Sequence, residues 1–179
     1  MAFCFVIILP AASARQQPAA PEYRIKAAFL YNFTLYAEWP ASAFESSEAP
    51  FVLAIAGADP FGDELDAAVR GKTVRGRVID IRRYPSAADV AECHLLFVTN
   101  AEVKSFDQIL KRFRDSPLLT VAESESFTKS GGVIRFFVEQ NKVHFEVNTD
   151  AAARAKLKLS SKLLSLARVV RDAAAPKDR

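Results

Sequence analysis

The residues able to do chemistry are few: two histidines, a Cys-His step, one glycine-flanked turn and some scattered serines. His94 follows Cys93 directly, at the head of the apolar run His94-Leu-Leu-Phe-Val98. Neighbours on a strand point to opposite faces, so the pair cannot share a metal or act as nucleophile and base. His144 falls on the polar face of the segment Lys142–Asn148. Both histidines read as structural, and a metal site would need more soft or imidazole ligands than the chain brings together. Gly57-Ala-Asp-Pro-Phe-Gly62 sits between an apolar run and a helical pattern, where a phosphate cradle could lie. It lacks both the Gly-x-Gly-x-x-Gly spacing and the Gly-Lys-Ser/Thr ending, and Asp59 would repel a phosphate. It reads as a tight turn, with Asp59 capping a helix that starts near Pro60. The serines of Ser124-Glu-Ser126 and of Ser130-Gly-Gly132 lie in no Gly-x-Ser-x-Gly elbow and read as turn residues. No catalytic residue, cofactor, metal or disulfide is expected.

What remains is chemistry of recognition. Arg135 and Glu146 are of opposite sign and fall opposite each other if their segments pair, as a surface ion pair worth well under about 1 kcal/mol. Trp39, in the corner Glu38-Trp39-Pro40, reads singly as core. Charges around aromatic anchors are also how binding surfaces are built. The candidate contact residues are therefore Tyr31, Asn32, Leu35, Trp39, Arg135, Glu146 and Lys162.

These residues need elements to hold them. A first helix is expected from Glu22 to Glu38, where Ile25, Phe29, Phe33 (or Asn32) and Tyr36 recur at helical spacing. Ala27, Leu30, Tyr31 and Leu35 make its other side apolar too, so the helix is buried on several sides or covered by a partner. Pro40 ends it. Phe51–Ala56, His94–Val98 and Leu118–Ala122 are continuous apolar runs and read as buried strands. Arg77–Arg82 alternates, with Ile79 and Ile81 on one face, and reads as an outer strand. Phe61–Arg70, ended by Gly71, and Phe106–Arg114 read as helices between them. Strands alternating with helices imply parallel pairing with helices on both faces. After Gly131-Gly132 a hairpin follows. A turn at Gln140-Asn141 matches Ile134 with Val147, Phe136 with Phe145 and Val138 with Val143, and sets Arg135 against Glu146; Asn141-Lys142 is the other possible turn. A last helix is expected from Ser160, its N-cap, to about Asp172. The fold class is α/β: a three-layer sandwich with a mixed, mostly parallel sheet and a C-terminal β-hairpin followed by a helix.

The 179 residues suit one domain. Half are apolar, 14 are phenylalanine, and no run reaches the roughly 18 apolar residues of a membrane span. The net charge of +3 is spread along the chain, which argues against a nucleic-acid groove and suits an acidic protein surface. Ala2–Leu9 followed by Ala12-Ser13-Ala14 reads as a secretory signal cleaved near Ala14, although a positive n-region is missing. The domains expected are a signal peptide over 1–14, a flexible mature N-terminus over 15–21, a folded domain over 22–172 and a disordered tail over 173–179. Cleavage leaves Cys93 as the single thiol, so no intrachain bridge is expected.

Lys26-Ala-Ala-Phe-Leu-Tyr-Asn-Phe33 with Glu38-Trp39-Pro40, and Gly131–Asn148 with Asp150-Ala-Ala and Leu159-Ser-Ser-Lys-Leu-Leu164, resemble the YfiR family of small periplasmic proteins. The resemblance runs from about Tyr23 to about Val170 and is densest in these end segments. It implies a periplasmic and commonly dimeric protein. It also implies a regulator that binds the periplasmic sensor domain of an inner-membrane diguanylate cyclase, or of a related histidine kinase, and represses cyclic-di-GMP signalling. Release would come from an envelope protein that sequesters the regulator. Small members of the family often pair cysteines in the mature part; this chain departs from that pattern. The competing expectation is a periplasmic small-ligand sensor whose crevice lies at the carboxyl ends of the parallel strands, near Gly57 and Asn100.

Overall fold

The computed structural model describes residues 21–114 and 116–172. The expected signal peptide, nearly all of the expected N-terminal tether and the expected tail lie outside them. The chain runs α1 (Pro21–Tyr36), β1 (Ala37–Glu38), β2 (Phe51–Ala56), α2 (Asp63–Val69), β3 (Thr73–Val74) and β4 (Arg77–Tyr84). It continues β5 (Leu95–Val98), α3 (Phe106–Arg112), β6 (Leu119–Ala122), β7 (Ile134–Glu139), β8 (Lys142–Asn148), α4 (Thr149–Arg154), β9 (Lys158–Leu159), α5 (Ser161–Leu166) and β10 (Arg168–Val170).

Eight strands form one sheet in the order β10-β8-β7-β6-β5-β2-β4-β3, and β1 pairs with β9 apart from it. Pairing is parallel from β4 through β2, β5 and β6 to β7, and again between β8 and β10. It is antiparallel at the hairpin β7–β8 and at the short edge strand β3. The α/β sandwich is thus as expected. β2 shows how one run serves both layers. Phe51, Leu53 and Ile55 join the core under α1, α2, α4 and α5, while Val52, Ala54 and Ala56 join the core under α3. Strict alternation on a strand buried on both faces is why the run is apolar throughout.

The hairpin has the expected register, from Ile134 opposite Val147 to Glu139 opposite Lys142. Gln140 and Asn141 take φ of 51° and 57°, the two left-handed residues of a tight hairpin turn, which settles the turn at this pair.

Three boundaries differ from expectation. α1 stops at Tyr36, because Ala37 and Glu38 are already extended and paired with Leu159 and Lys158 ahead of Pro40. Asp59 does not cap α2; its carboxylate accepts from the Phe61 N–H at 2.7 Å and folds the turn that precedes the helix. The last helix is only one and a half turns long. Ser160 caps it, accepting from the Leu163 N–H at 3.2 Å, but the chain turns extended at Ala167 and Arg168–Val170 pairs in parallel with Glu146–Asn148. Val169 and Val170 are β-branched and suit a strand, and β8 offers them an open ladder of backbone groups.

Candidate functional site

The residues expected to work at a surface divide into two groups. The first is a polar lock on the hairpin. Glu146 receives two parallel hydrogen bonds from Arg135, Nε to Oε1 at 2.8 Å and the terminal nitrogen to Oε2 at 3.0 Å. Thr128 donates to the same carboxylate. The pair is not the surface bridge expected from sequence: the side chains are 13 % and 9 % exposed. The chain around Thr128 folds back over this face and covers it. Arg135 holds the Glu146 carboxyl below the usual carboxylate range, against burial, which pushes the other way. Two residues along the same strand, Asn148 spends its whole carboxamide. Its oxygen accepts from the N–H groups of Asp150 and Ala151, capping α4, and its nitrogen donates to the Thr128 carbonyl and to Asp172, each at 2.8 Å. An open groove of about 550 Å³ runs beside the lock, between Lys129 and Arg171.

The second group lies on α1. Lys26, Ala27, Leu30, Phe33 and Thr34 face inward. Phe29 and Phe33 pack on Phe136 and Phe145 of the hairpin, with ring centres 5.0–6.1 Å apart. The opposite stripe is open: Ile25 is 47 % and Leu35 41 % exposed. Asn32 is half-buried on that stripe, and its carboxamide has no partner among the described residues. Tyr31 carries the Lys72 ammonium over its ring at 4.4 Å, and Tyr36 carries that of Lys162 at 5.1 Å. The sequence made both sides of α1 apolar; the structure shows which of them the sheet covers.

Trp39 stands apart from both groups. It is in the core, edge-on to Phe51 at 4.9 Å, with its indole N–H donating to the His94 carbonyl at 3.2 Å. It holds the corner after α1 and presents almost nothing outward.

The titratable groups in the interior are built into the fold. His94 accepts at Nδ1 from the Val52 N–H and donates from Nε2 to the Ala43 carbonyl, both at 2.9 Å, which fixes the neutral ring. Burial pulls its pKa down. The Cys93 thiol is pushed up to about 12 by burial and is inert. His144 stacks on Phe137 at 5.6 Å. Lys26, only 3 % exposed, is held between Glu22 and Glu123. Burial opposes its charge, but the two carboxylates outweigh that and raise its pKa. Sequence reasoning missed this cluster. A lysine on the inner stripe of a helix was the one available signal.

The crevice expected near Gly57 and Asn100 is occupied. Gly57 has φ of +97°, and a Cβ there would lie 2.1 Å from the Thr99 hydroxyl. Phe61 packs over the strand ends against Phe97 and Tyr23, at 4.8 and 5.5 Å. Among the described residues, no group of three or more acidic, histidine or cysteine side chains is placed to hold a metal, and no helix is long and apolar enough to cross a membrane.

The site is therefore a set of surfaces around a locked hairpin. A family model described as YfiR/HmsC-like matches residues 23–168, most of the chain. The chain belongs to this family. YfiR/HmsC-like proteins are periplasmic, non-catalytic regulators of diguanylate cyclase signalling. No curated protein matches this YfiR/HmsC-like chain.

Proposed function

We propose that this YfiR/HmsC-like protein is exported, loses its signal near Ala14, and represses an inner-membrane diguanylate cyclase by binding its periplasmic sensor domain. It acts by binding alone and takes no cofactor. It represses because it binds the inactive sensor state more tightly than the active one, and only that difference in affinity shifts the equilibrium. A related sensor kinase would be held in the same way, and an envelope protein that sequesters the regulator would release it. The single observation that supports this beyond family membership is the apolar outer stripe of α1. Large apolar side chains there stand in solvent beside aromatic rings, as at protein contacts.

The decisive experiment removes the gene and measures cyclic-di-GMP, with co-purification from membranes beside it. Deletion should raise the cyclic-di-GMP level, and the tagged protein should retain a membrane cyclase or kinase. An unchanged level together with no retained sensor sinks the proposal. Cell fractionation should find a mature form starting near Arg15 in the periplasm.

A further inference from the structure

We propose that the cleft between α3 and α4, at the amino end of β6, binds a small amphipathic anion: a carboxylate or phosphate head on a medium-length apolar body. This site is independent of the repressor reading and of the outer stripe of α1.

The cleft exists because β6 and β7 part. β6 pairs with β5 from Leu119 onward, but β7 joins it only at Val121 and Ala122, opposite Ile134 and Arg135. Beside Leu119 and Thr120 the chain around Gly131 stands where a strand would, and the Val133 N–H donates to the Thr120 hydroxyl at 3.0 Å. With no strand to close the sheet, the two cores meet here. Ile109 and Phe113 come from one, Val133 and Ala151 from the other. The α3 wall is large and apolar. The facing wall, with Gly131, Ala151 and Ala155, is too small to fill the space. Gly131 has φ of +94°, and a Cβ there would press on Leu110 at 3.2 Å. The cleft measures about 300 Å³. That is twice the ~150 Å³ cavity that takes up a benzene ring, so it suits an apolar body of about ten to twelve carbons.

The mouth selects the charge. Lys111, Arg114 and Arg154 stand around it, and no carboxylate among the described residues lines it. Arg154 is paired with Asp172. Lys111 and Arg114 are exposed and have no partner among the described residues. Two free cations over an apolar space complement an anion with an apolar body, and they repel a cation. The cleft lies at the opposite end of the strands from the filled crevice at Gly57, and it shares no residue with the groove beside the lock.

The test titrates the full chain with decanoate, monodecyl phosphate, decan-1-ol and decyltrimethylammonium, each below its micelle concentration, and follows backbone amide NMR shifts. Saturable shifts at Leu110, Gly131 and Ala155 are expected with the anions, and the tighter of the two identifies the head group. The alcohol should bind about fivefold more weakly, the gain an exposed ion pair can give, and the cation not at all. Ala155→Leu, which fills the space, should abolish binding. Lys111→Gln combined with Arg114→Gln should bring the anions down to the affinity of the alcohol. The absence of saturable shifts at these residues overturns the proposal. Equal binding of anion and alcohol, unchanged by the double substitution, also overturns it and shows an apolar socket of the kind a partner's side chain fills. Should Ala155→Leu fail to fold, the double substitution and the four probes still decide.

Discussion

The hairpin lock and the outer stripe of α1 use similar residues with opposite results. In the lock, Arg135, Glu146, Thr128 and Asn148 are shielded, and every one of them is answered by a partner. On the stripe, Asn32 and Arg24 have no partner among the described residues, and Ile25 and Leu35 face water. A satisfied polar group fixes one conformation and leaves nothing over for a ligand. One that faces water beside exposed apolar surface can exchange that water for another molecule. The lock is therefore assigned to the fold, and the stripe to what the fold does.

Glu146→Ala should give the largest effect, since it strands the Arg135 guanidinium in a shielded site. Losing one partner of such a pair costs about 3 kcal/mol, measurable by urea unfolding. The double variant Arg135→Met with Glu146→Leu should recover most of the loss. If Glu146→Ala is neutral, the lock is a surface pair after all and the contrast collapses. Asn148→Ala comes next. It removes the cap of α4 and leaves the Thr128 carbonyl only the longer bond from the Gly131 N–H at 3.3 Å, at about 2 kcal/mol. In these variants repression should fall only as far as folding does.

Leu35→Asp reverses the pattern. At an exposed position its stability cost should stay within about 0.5 kcal/mol, while the protein contact is lost, because an unpaired charge enters a patch that binding dries. Full repression would remove the stripe from function.

The hairpin was legible from its sequence because period-two alternation admits one register that matches every apolar pair and sets Arg135 on Glu146. The burial of that ion pair was not, since nothing local shows that the chain around Thr128 folds over the hairpin. β10 was missed for a related reason. Leu163, Leu166 and Val170 carry helical spacing, but Leu166 is 64 % exposed, and the pairing with β8 that decides the matter is 22 residues away in the chain, Arg168 on Glu146. α4, β3 and β9 are too short to leave a period. On α1 nothing in the residue spacing chooses between two apolar sides. The sheet chose, through Phe136 and Phe145. Trp39 read as either core or contact, and its indole bond to the His94 carbonyl places it inside.

A smaller effect concerns pH. Burial depresses the pKa of His94 in the folded state, so the unfolded chain binds the proton first as pH falls. The stability this neutral ring contributes is complete above pH 6.5, the ordinary value, and is lost as pH drops from there through the folded value. His94→Gln, which cannot titrate, should flatten the stability curve in that window. An equal slope in both proteins would show that other groups carry it. The smallest effect expected is none: reductant should leave the melting temperature unchanged, because the thiol of Cys93 is buried and free.

The stacking of Phe29 and Phe33 on Phe136 and Phe145 has a consequence during synthesis. From Phe33 to Phe136 the chain runs a further 103 residues. At about 5–20 residues per second, α1 leaves the ribosome some 5–20 seconds before its covering surface exists. For that interval the inner stripe has only α2 and the strands before the hairpin to cover it, Phe29 and Phe33 lack the rings they pack on, and the outer stripe is open as well. The nascent chain should need a holding chaperone most while residues 21–36 are out and the hairpin is not, and ribosome-bound lengths ending before residue 134 should be its best clients.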